Sequence, residues 1–249
     1  MRRERSQEKC TQSGTGSGTL FIVGVPIGHP DDLTVRALST LRHVDLIAAK
    51  NPQSTQALLS HHGIHAVVTT YDRNNAAEKA PVLLQRLKQG RDIALVSDCG
   101  MPAVYDPGRV LISAASKAHV AIEVIPGTSV VVAAAALCGM DGDSFVFEGR
   151  WAGGLRHMTH RLHSMRAESR TMIFLPPAKK LPALLSLILH TLGNRRVVIA
   201  RDLTKDTQTV VRGRVRTVLA RDSFHNSRSQ ITLIVEGMKG KGKTARGPA

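Results

Sequence analysis

Ile93-Ala-Leu-Val-Ser-Asp-Cys-Gly-Met-Pro-Ala-Val-Tyr-Asp-Pro-Gly108 is the stretch on which the fold class turns. Four apolar residues run into Ser97-Asp98, Gly100 and Pro102 break the run, and Pro107-Gly108 precede a helical pattern. The order reads as a buried strand, a ligand-facing loop and a helix start. In an open α/β sheet, ligands gather off the carboxyl ends of the strands. Asp98 stands where a carboxylate can hold a ribose hydroxyl or an amine, and Gly100 lets a ligand approach the backbone. An Asp-capped strand-to-helix turn of no special function explains the same letters equally well.

The flanking sequence repeats the alternation. Strands are expected at 20–23, 44–49, from 67 and at 121–125, and helices at 78–88 and 110–118. A further helix, carrying Leu33, Leu38 and Leu41, is capped by Asp31 or Asp32. Strands alternating with helices indicate a parallel sheet covered on both faces. Pro126-Gly-Thr-Ser129 closes this unit, and Ser129 or Thr128 caps a helix over 130–137. Four successive alanines in that helix suggest close packing against another element or a ligand. A second unit follows, with strands at 144–148, 171–175, 197–200, 208–211 and 231–235, and helices at 155–165 and 182–190. Its later strands follow one another closely, which favours antiparallel pairs. The expected architecture is therefore α/β in two domains, 19–126 with a mostly parallel sheet and 127–237 with a mixed one. A flexible leader (1–18) and a basic flexible tail (238–249) flank them.

Composition narrows the partners. The chain has 249 residues and a net charge of +15. Residues 1–126 hold 14 basic and 11 acidic side chains, and residues 127–249 hold 20 and 8. A basic second half points to a polyanion, nucleic acid first. Aromatics are only 3%, which argues against base-stacking platforms. Cys10, Cys99 and Cys138 are isolated, with no CxxC, as in a reducing cytoplasm and without a zinc site or other metal. The longest apolar run, 130–138, is too short to span a membrane, and no secretion signal is evident.

Two glycine-rich stretches imitate nucleotide loops. Ser13-Gly-Thr-Gly-Ser-Gly18 precedes the first strand instead of following it. Gly237-Met-Lys-Gly-Lys-Gly-Lys-Thr244 matches the P-loop pattern, but only five residues remain to form the helix that a P-loop must open. Neither is read as nucleotide chemistry, and the tail is read as an arm able to touch RNA. The helix over 155–165 is more informative. Leu155, Met158, Leu162 and Met165 form a core stripe, and Arg156, His157, His160, Arg161, His163 and Arg166 occupy the other face. That face suits phosphate contacts that position RNA. Arg150, Lys179, Lys180 and Arg201 complete the candidate RNA-binding set.

Several segments together resemble the tetrapyrrole methylase superfamily of S-adenosylmethionine enzymes. They include Leu20-Phe-Ile-Val-Gly-Val-Pro-Ile-Gly-His29, Val44-Asp-Leu-Ile-Ala-Ala49, Ala94-Leu-Val-Ser-Asp-Cys-Gly-Met-Pro102, Ile125-Pro-Gly-Thr-Ser129, Phe145-Val-Phe-Glu-Gly149, Arg195-Arg-Val-Val-Ile-Ala-Arg-Asp-Leu-Thr-Lys205 and Leu233-Ile-Val-Glu-Gly237. Their order is most similar to the bacterial branch that methylates a cytidine 2′-hydroxyl in 16S ribosomal RNA. The resemblance implies two α/β domains with S-adenosylmethionine in a cleft between them, a homodimer, and the small ribosomal subunit as partner. It places the cofactor at Pro26, Asp98, Cys99, Gly100, Met101, Val104, Ser129, Val130, Leu175 and Ala200.

The chain departs from that branch at polar positions. Ala49-Lys-Asn-Pro-Gln53 stands where the branch has Ala-Glu-Asp-Thr-Arg, and Tyr71-Asp-Arg-Asn-Asn75 where it has Tyr-His-Glu-His-Asn. Leu175-Pro-Pro-Ala-Lys-Lys180 replaces Tyr-Glu-Ser-Pro-His-Arg. Lys50 becomes the candidate catalytic base, on the expectation that burial in a cleft lowers its pKa towards neutrality. A lysine on the surface at a strand end is the simpler account of the same residue. Two other functions stay open on sequence alone: a non-catalytic RNA-binding or ribosome-assembly protein, and a methyltransferase for a small tetrapyrrole.

Overall fold

The computed structural model describes residues 16–151, 154–221 and 229–238. The leader up to residue 15, and the tail from 239 with most of its P-loop-like run, lie outside the described residues. The chain divides into two compact units. The first comprises residues up to Val23, Val35–Asp98 and Asp106–Pro126; the second comprises Gly24–Thr34, Cys99–Tyr105 and the chain from Gly127 onward.

The first unit contains β1 (Leu20–Val23), α1 (Val35–His43), β2 (Leu46–Ala49), α2 (Pro52–His61), β3 (Val68–Thr70), α3 (Ala76–Lys88), β4 (Ile93–Val96), α4 (Arg109–Lys117) and β5 (Ile122–Ile125). Its five strands are all parallel, in the order β3-β2-β4-β1-β5. Strands β2 and β4 are buried at every residue, as expected of central parallel strands covered on both faces. Leu83 and Leu87 of α3 pack with Leu111 and Ala115 of α4 against Leu20, Ile93 and Leu95. Tyr71, directly after β3, is buried, and its hydroxyl accepts the Leu111 amide at 3.1 Å. Burial pushes its phenol pKa up against the effect of that bond.

Two local expectations change. Asp31 and Asp32 do not cap a long helix. They lie in a 3₁₀ turn, Pro30–Asp32, whose cap is His29, and α1 begins only at Val35, so Leu33 lies outside it. Helix α2 has no counterpart among the expected elements. Asn51 caps it by accepting the amides of Gln53 and Ser54 at 3.1 and 3.2 Å, with Pro52 in the first turn. An Asn-Pro pair at a helix start is a recognisable signal.

The second unit contains α5 (Val130–Cys138), β6 (Phe145–Arg150), α6 (Leu155–Ser164), β7 (Thr171–Leu175), α7 (Leu181–Thr191), β8 (Arg196–Arg201), β9 (Thr209–Arg214), α8 (Val215–Leu219) and β10 (Ile231–Val235). The sheet order is β6-β7-β10-β8-β9; β6 and β7 are parallel and every other pair is antiparallel. Alternation of side chains divides its core. Met172, Phe174, Val197, Ile199, Leu233 and Val235 face α6, α7 and α8, whereas Ile173, Val198, Ala200 and Ile234 face α5. Ala134 of α5 is fully buried there, which accounts for the small residues in that helix.

Candidate functional site

Three loops meet inside the second unit. They follow β1, β4 and β5. Val25 and Gly100 exchange backbone hydrogen bonds of 3.0 and 3.1 Å. The Thr128 hydroxyl donates to the Val25 carbonyl at 2.8 Å. Gly24 and Gly127 let two backbones touch: a Cβ on Gly24 would lie 2.6 Å from the Gly127 nitrogen. Gly100 has φ +74°, a conformation that glycine adopts without strain. Four of the five non-glycine residues at positive φ among the described residues lie in just two loops. Ala103 (65°) and Tyr105 (65°) follow β4; Asp202 (47°) and Thr204 (65°) follow β8. Concentrated strain of this kind marks loops held for function.

These loops border a pocket of about 280 Å³. Its walls are apolar, with Ile27, Val130, Leu175 and Leu203, and Cys99, Arg150 and the segment Ser229–Thr232 complete the lining. Buried Asp202 fixes one side. Its carboxylate accepts the Gln230 amide at 3.0 Å and Lys205 Nζ at 3.1 Å, and its own amide donates to the Gln230 carbonyl at 2.9 Å. Burial alone would raise this carboxyl's pKa; the hydrogen bonds from Gln230, Lys205 and Ser229 outweigh it and hold the group below the ordinary range.

A separate polar cluster lies in the first unit, at the carboxyl ends of β2, β3 and β4. Lys50 Nζ stands 2.9 Å from Asp98 Oδ2 and 3.0 Å from Asp106 Oδ1. Lys50 and Asp98 border an open hollow of about 510 Å³ together with Asn51, Asp72, Arg73 and Asn74, and Asp106 accepts a hydrogen bond from Lys50. The expected fall in the Lys50 pKa is reversed. Burial does act to lower it, but hydrogen bonds to two carboxylates outweigh burial and hold it above its usual value. Hydrogen bonds that favour the charged lysine work against a role as base.

The structure therefore sorts the expected cofactor residues. Cys99, Val130 and Leu175 line the pocket. Pro26, Gly100, Met101 and Ser129 belong to the three joined loops that border it, with Pro26 and Gly100 buried. Val104 is 53% exposed on the strained loop. Asp98 belongs to the Lys50 cluster. Ala200 is fully buried in the ladder between β10 and β9 and is not brought into the pocket. Sequence reasoning gave no role to Ile27, Asp106, Asp202 or Leu203. The last two lie in the Arg201-Asp-Leu-Thr-Lys205 run, whose polar residues between two strands were the available signal.

Of the expected RNA-binding residues, Arg156, Arg161 and Arg166 are exposed on or just after α6, while Met158, Leu162 and Met165 are buried. Lys179 and Lys180 are exposed as well, Arg150 joins the pocket lining, and Arg201 is half-buried. Arg161 is engaged within the unit, donating from Nε and Nη2 to both Glu148 oxygens at 2.7 and 2.9 Å.

The family model for tetrapyrrole (corrin/porphyrin) methylases matches residues 19–219. The chain belongs to this family. The methylase is 35% identical over 220 residues to the ribosomal RNA small subunit methyltransferase I of Thermotoga maritima, covering 88% of this chain and 99% of that one. It is 37% identical over 235 residues to the protein of the same name from Escherichia coli O157:H7, covering 93% and 82%. Among solved structures, the uroporphyrin-III C-methyltransferase from Thermus thermophilus, crystallised with S-adenosyl homocysteine, superposes with a TM-score of 0.63 at 18% identity. That match covers 88% of this chain and 97% of the other. At that identity the likeness concerns the fold.

The methylase is an S-adenosylmethionine-dependent methyltransferase. Its pocket suits that cofactor. Apolar walls fit a flat heteroaromatic ring and an aliphatic chain, a guanidinium at Arg150 fits a carboxylate, and the volume approaches the roughly 300–1,000 Å³ of small-molecule sites.

Proposed function

We propose that this methylase transfers a methyl group to the 2′-hydroxyl of a cytidine in 16S ribosomal RNA, acting in the cytoplasm as a homodimer. Helix α6 carries the reading: Met158, Leu162 and Met165 are buried while three arginines and three histidines on or just after it are exposed. No helix among the described residues is long and apolar enough to cross a membrane, and the charge of the second half suits a polyanion. Relatives named for small-subunit ribosomal RNA support the same substrate. A small tetrapyrrole needs no such field.

When bound, S-adenosylmethionine supplies a methyl carbon on a sulfonium, so alignment with the acceptor oxygen accounts for most of the acceleration. Ile27, Val130, Leu175 and Leu203 exclude water and hold the apolar parts of the cofactor. The strained loops keep these walls in place before binding, and Asp202 fixes the backbone of Gln230 beside them. Asp98 accepts hydrogen bonds from ribose hydroxyls. Lys50, which stays charged, is a positioning residue that orients Asp98 and Asp106. Arg156, Arg166, Lys179 and Lys180 bind phosphates.

The test is transfer of labelled methyl groups to small ribosomal subunits that lack the modification, followed by mapping of ribose methylation. A single 2′-O-methylcytidine in 16S RNA is the expected product. Label on a base, or on tetrapyrroles and not on RNA, would overturn the reading.

A further inference from the structure

The edge of the second unit's sheet carries a charge arrangement that folding alone does not call for. Strands β8 and β9 are antiparallel, with Arg196 opposite Arg214 and Val198 opposite Arg212. Side chains alternate along a strand, so Arg196, Arg212 and Arg214 share one face. Like charges directly opposite each other destabilise a sheet. Among the described residues, the only carboxylate paired with any of the three is Glu236, 3.9 Å from Arg196. Arg214 then caps the start of α8, a helix of five residues that also carries exposed Arg216.

Part of the cluster has a structural use. Arg212 donates to the Leu137 carbonyl at 2.9 Å and Arg196 to the Gly139 carbonyl at 3.4 Å, both at the negative end of α5. Arg214 donates to the Asn194 carbonyl at 2.9 Å. A guanidinium has five N–H donors, so each of these bonds leaves most of the fork facing solvent. Charges on an edge strand also block pairing with other chains, but lysine or glutamate would do that as well.

We propose that the β8–β9 edge, with the start of α8, extends the phosphate-binding surface beyond Arg166 along the ribosomal RNA backbone. Arginine forks match phosphate bidentately, and RNA supplies the counter-charges that the sheet lacks. Arg166, just after α6, lines the same hollow as Arg214 and Arg195, and Arg195 donates to the Arg166 carbonyl at 2.9 Å. The cations that follow α6 thus continue into those of the β8–β9 edge, and one RNA backbone reaches both. The inference rests on RNA being the substrate.

Full-length protein and the Arg214→Gln/Arg216→Gln variant are titrated with deproteinised 16S ribosomal RNA across a range of salt. Neither residue caps α5. The variant is expected to bind roughly fivefold more weakly, with a plot of log affinity against log salt shallower by about 1.5. Calorimetric affinity for S-adenosylmethionine stays unchanged and reports an intact fold. Arg214→Lys/Arg216→Lys, which keeps the charge, retains most of the salt slope. Unchanged affinity and slope in the glutamine variant, while the parent binds RNA, would sink this surface alone. A parent protein with no salt-dependent RNA binding would sink both the surface and the ribosomal substrate. Equal loss of binding to polyglutamate, at affinity matching RNA, would reassign the edge to an acidic polypeptide.

Discussion

The pocket of the second unit and the polar cluster of the first are built by opposite means. The pocket of the second unit is made of backbone: three loops joined by main-chain bonds, a glycine–glycine contact and residues held at positive φ. The cluster of the first unit is made of side chains, one ammonium between two carboxylates beside an open hollow. Backbone construction fixes shape and tolerates no added atom. Side-chain construction fixes charge and accepts substitution at moderate cost.

The sharpest way to break this contrast is a single methyl group. Gly127→Ala places a Cβ 2.6 Å from Gly24 backbone atoms, so one loop must move. We expect a stability loss of about 3 kcal/mol or more and no measurable S-adenosylmethionine binding, read by thermal melting and calorimetry. A variant that binds normally would show the pocket to be far softer than its geometry implies.

Asp202→Ala comes next. It strips partners from Lys205 and the Gln230 amide, at a cost of about 1–3 kcal/mol, and should weaken cofactor binding about tenfold. Its acid dependence has a definite sign. The folded pKa lies below the ordinary value of 3.8, so the contribution is present above pH 3.8 and is lost as pH falls through the folded pKa. Asp202→Asn should flatten the acid limb of a pH–stability curve; an unaltered limb would remove Asp202 from the account.

Lys50→Met tests the other region. It leaves two carboxylates facing each other without their cation, and we expect about 1 kcal/mol of destabilisation, the part-exposed site being screened by solvent. Because the Lys50 pKa is raised, its contribution holds below pH 10.5 and disappears as pH climbs through the folded value. Turnover should fall without a new pH dependence near neutrality. A neutral-pH inflection in the parent enzyme that vanishes in Lys50→Met would restore the lysine as the base.

The smallest effect concerns α6. Arg156→Gln and Arg166→Gln should each weaken RNA binding by a factor of a few and reduce the salt slope by about one, without altering cofactor affinity. Equal weakening at all salt concentrations would argue against phosphate contacts.

The same contrast decides what could be read from the sequence. Apolar runs such as Leu20–Val23 and Ile93–Val96 announce buried parallel strands, and the α6 pattern announces one buried and one basic face, because burial leaves a periodic trace. Helix α2 was missed although Asn51-Pro52 marks its start, since its apolar positions are sparse and only Thr55 and Leu59 are buried. The Lys50 cluster could not be read, because Asp106 lies 56 residues from its partner and a desolvated lysine is expected to become less basic, not more. Strain at Ala103, Tyr105 and Thr204 leaves no trace either, as these residue types are not enriched at positive φ, whereas Asp202 is of a type that is.

One consequence concerns the order of synthesis. Segments Gly24–Thr34 and Cys99–Tyr105 are made early, yet they belong to the compact unit whose central strand, β10, is the last in sequence among the described strands. A ribosome that has released only the first half of the chain has released two loops with nowhere to dock. The pocket is therefore completed only when β10 joins the β6–β7 pair to the β8–β9 pair and makes them one sheet.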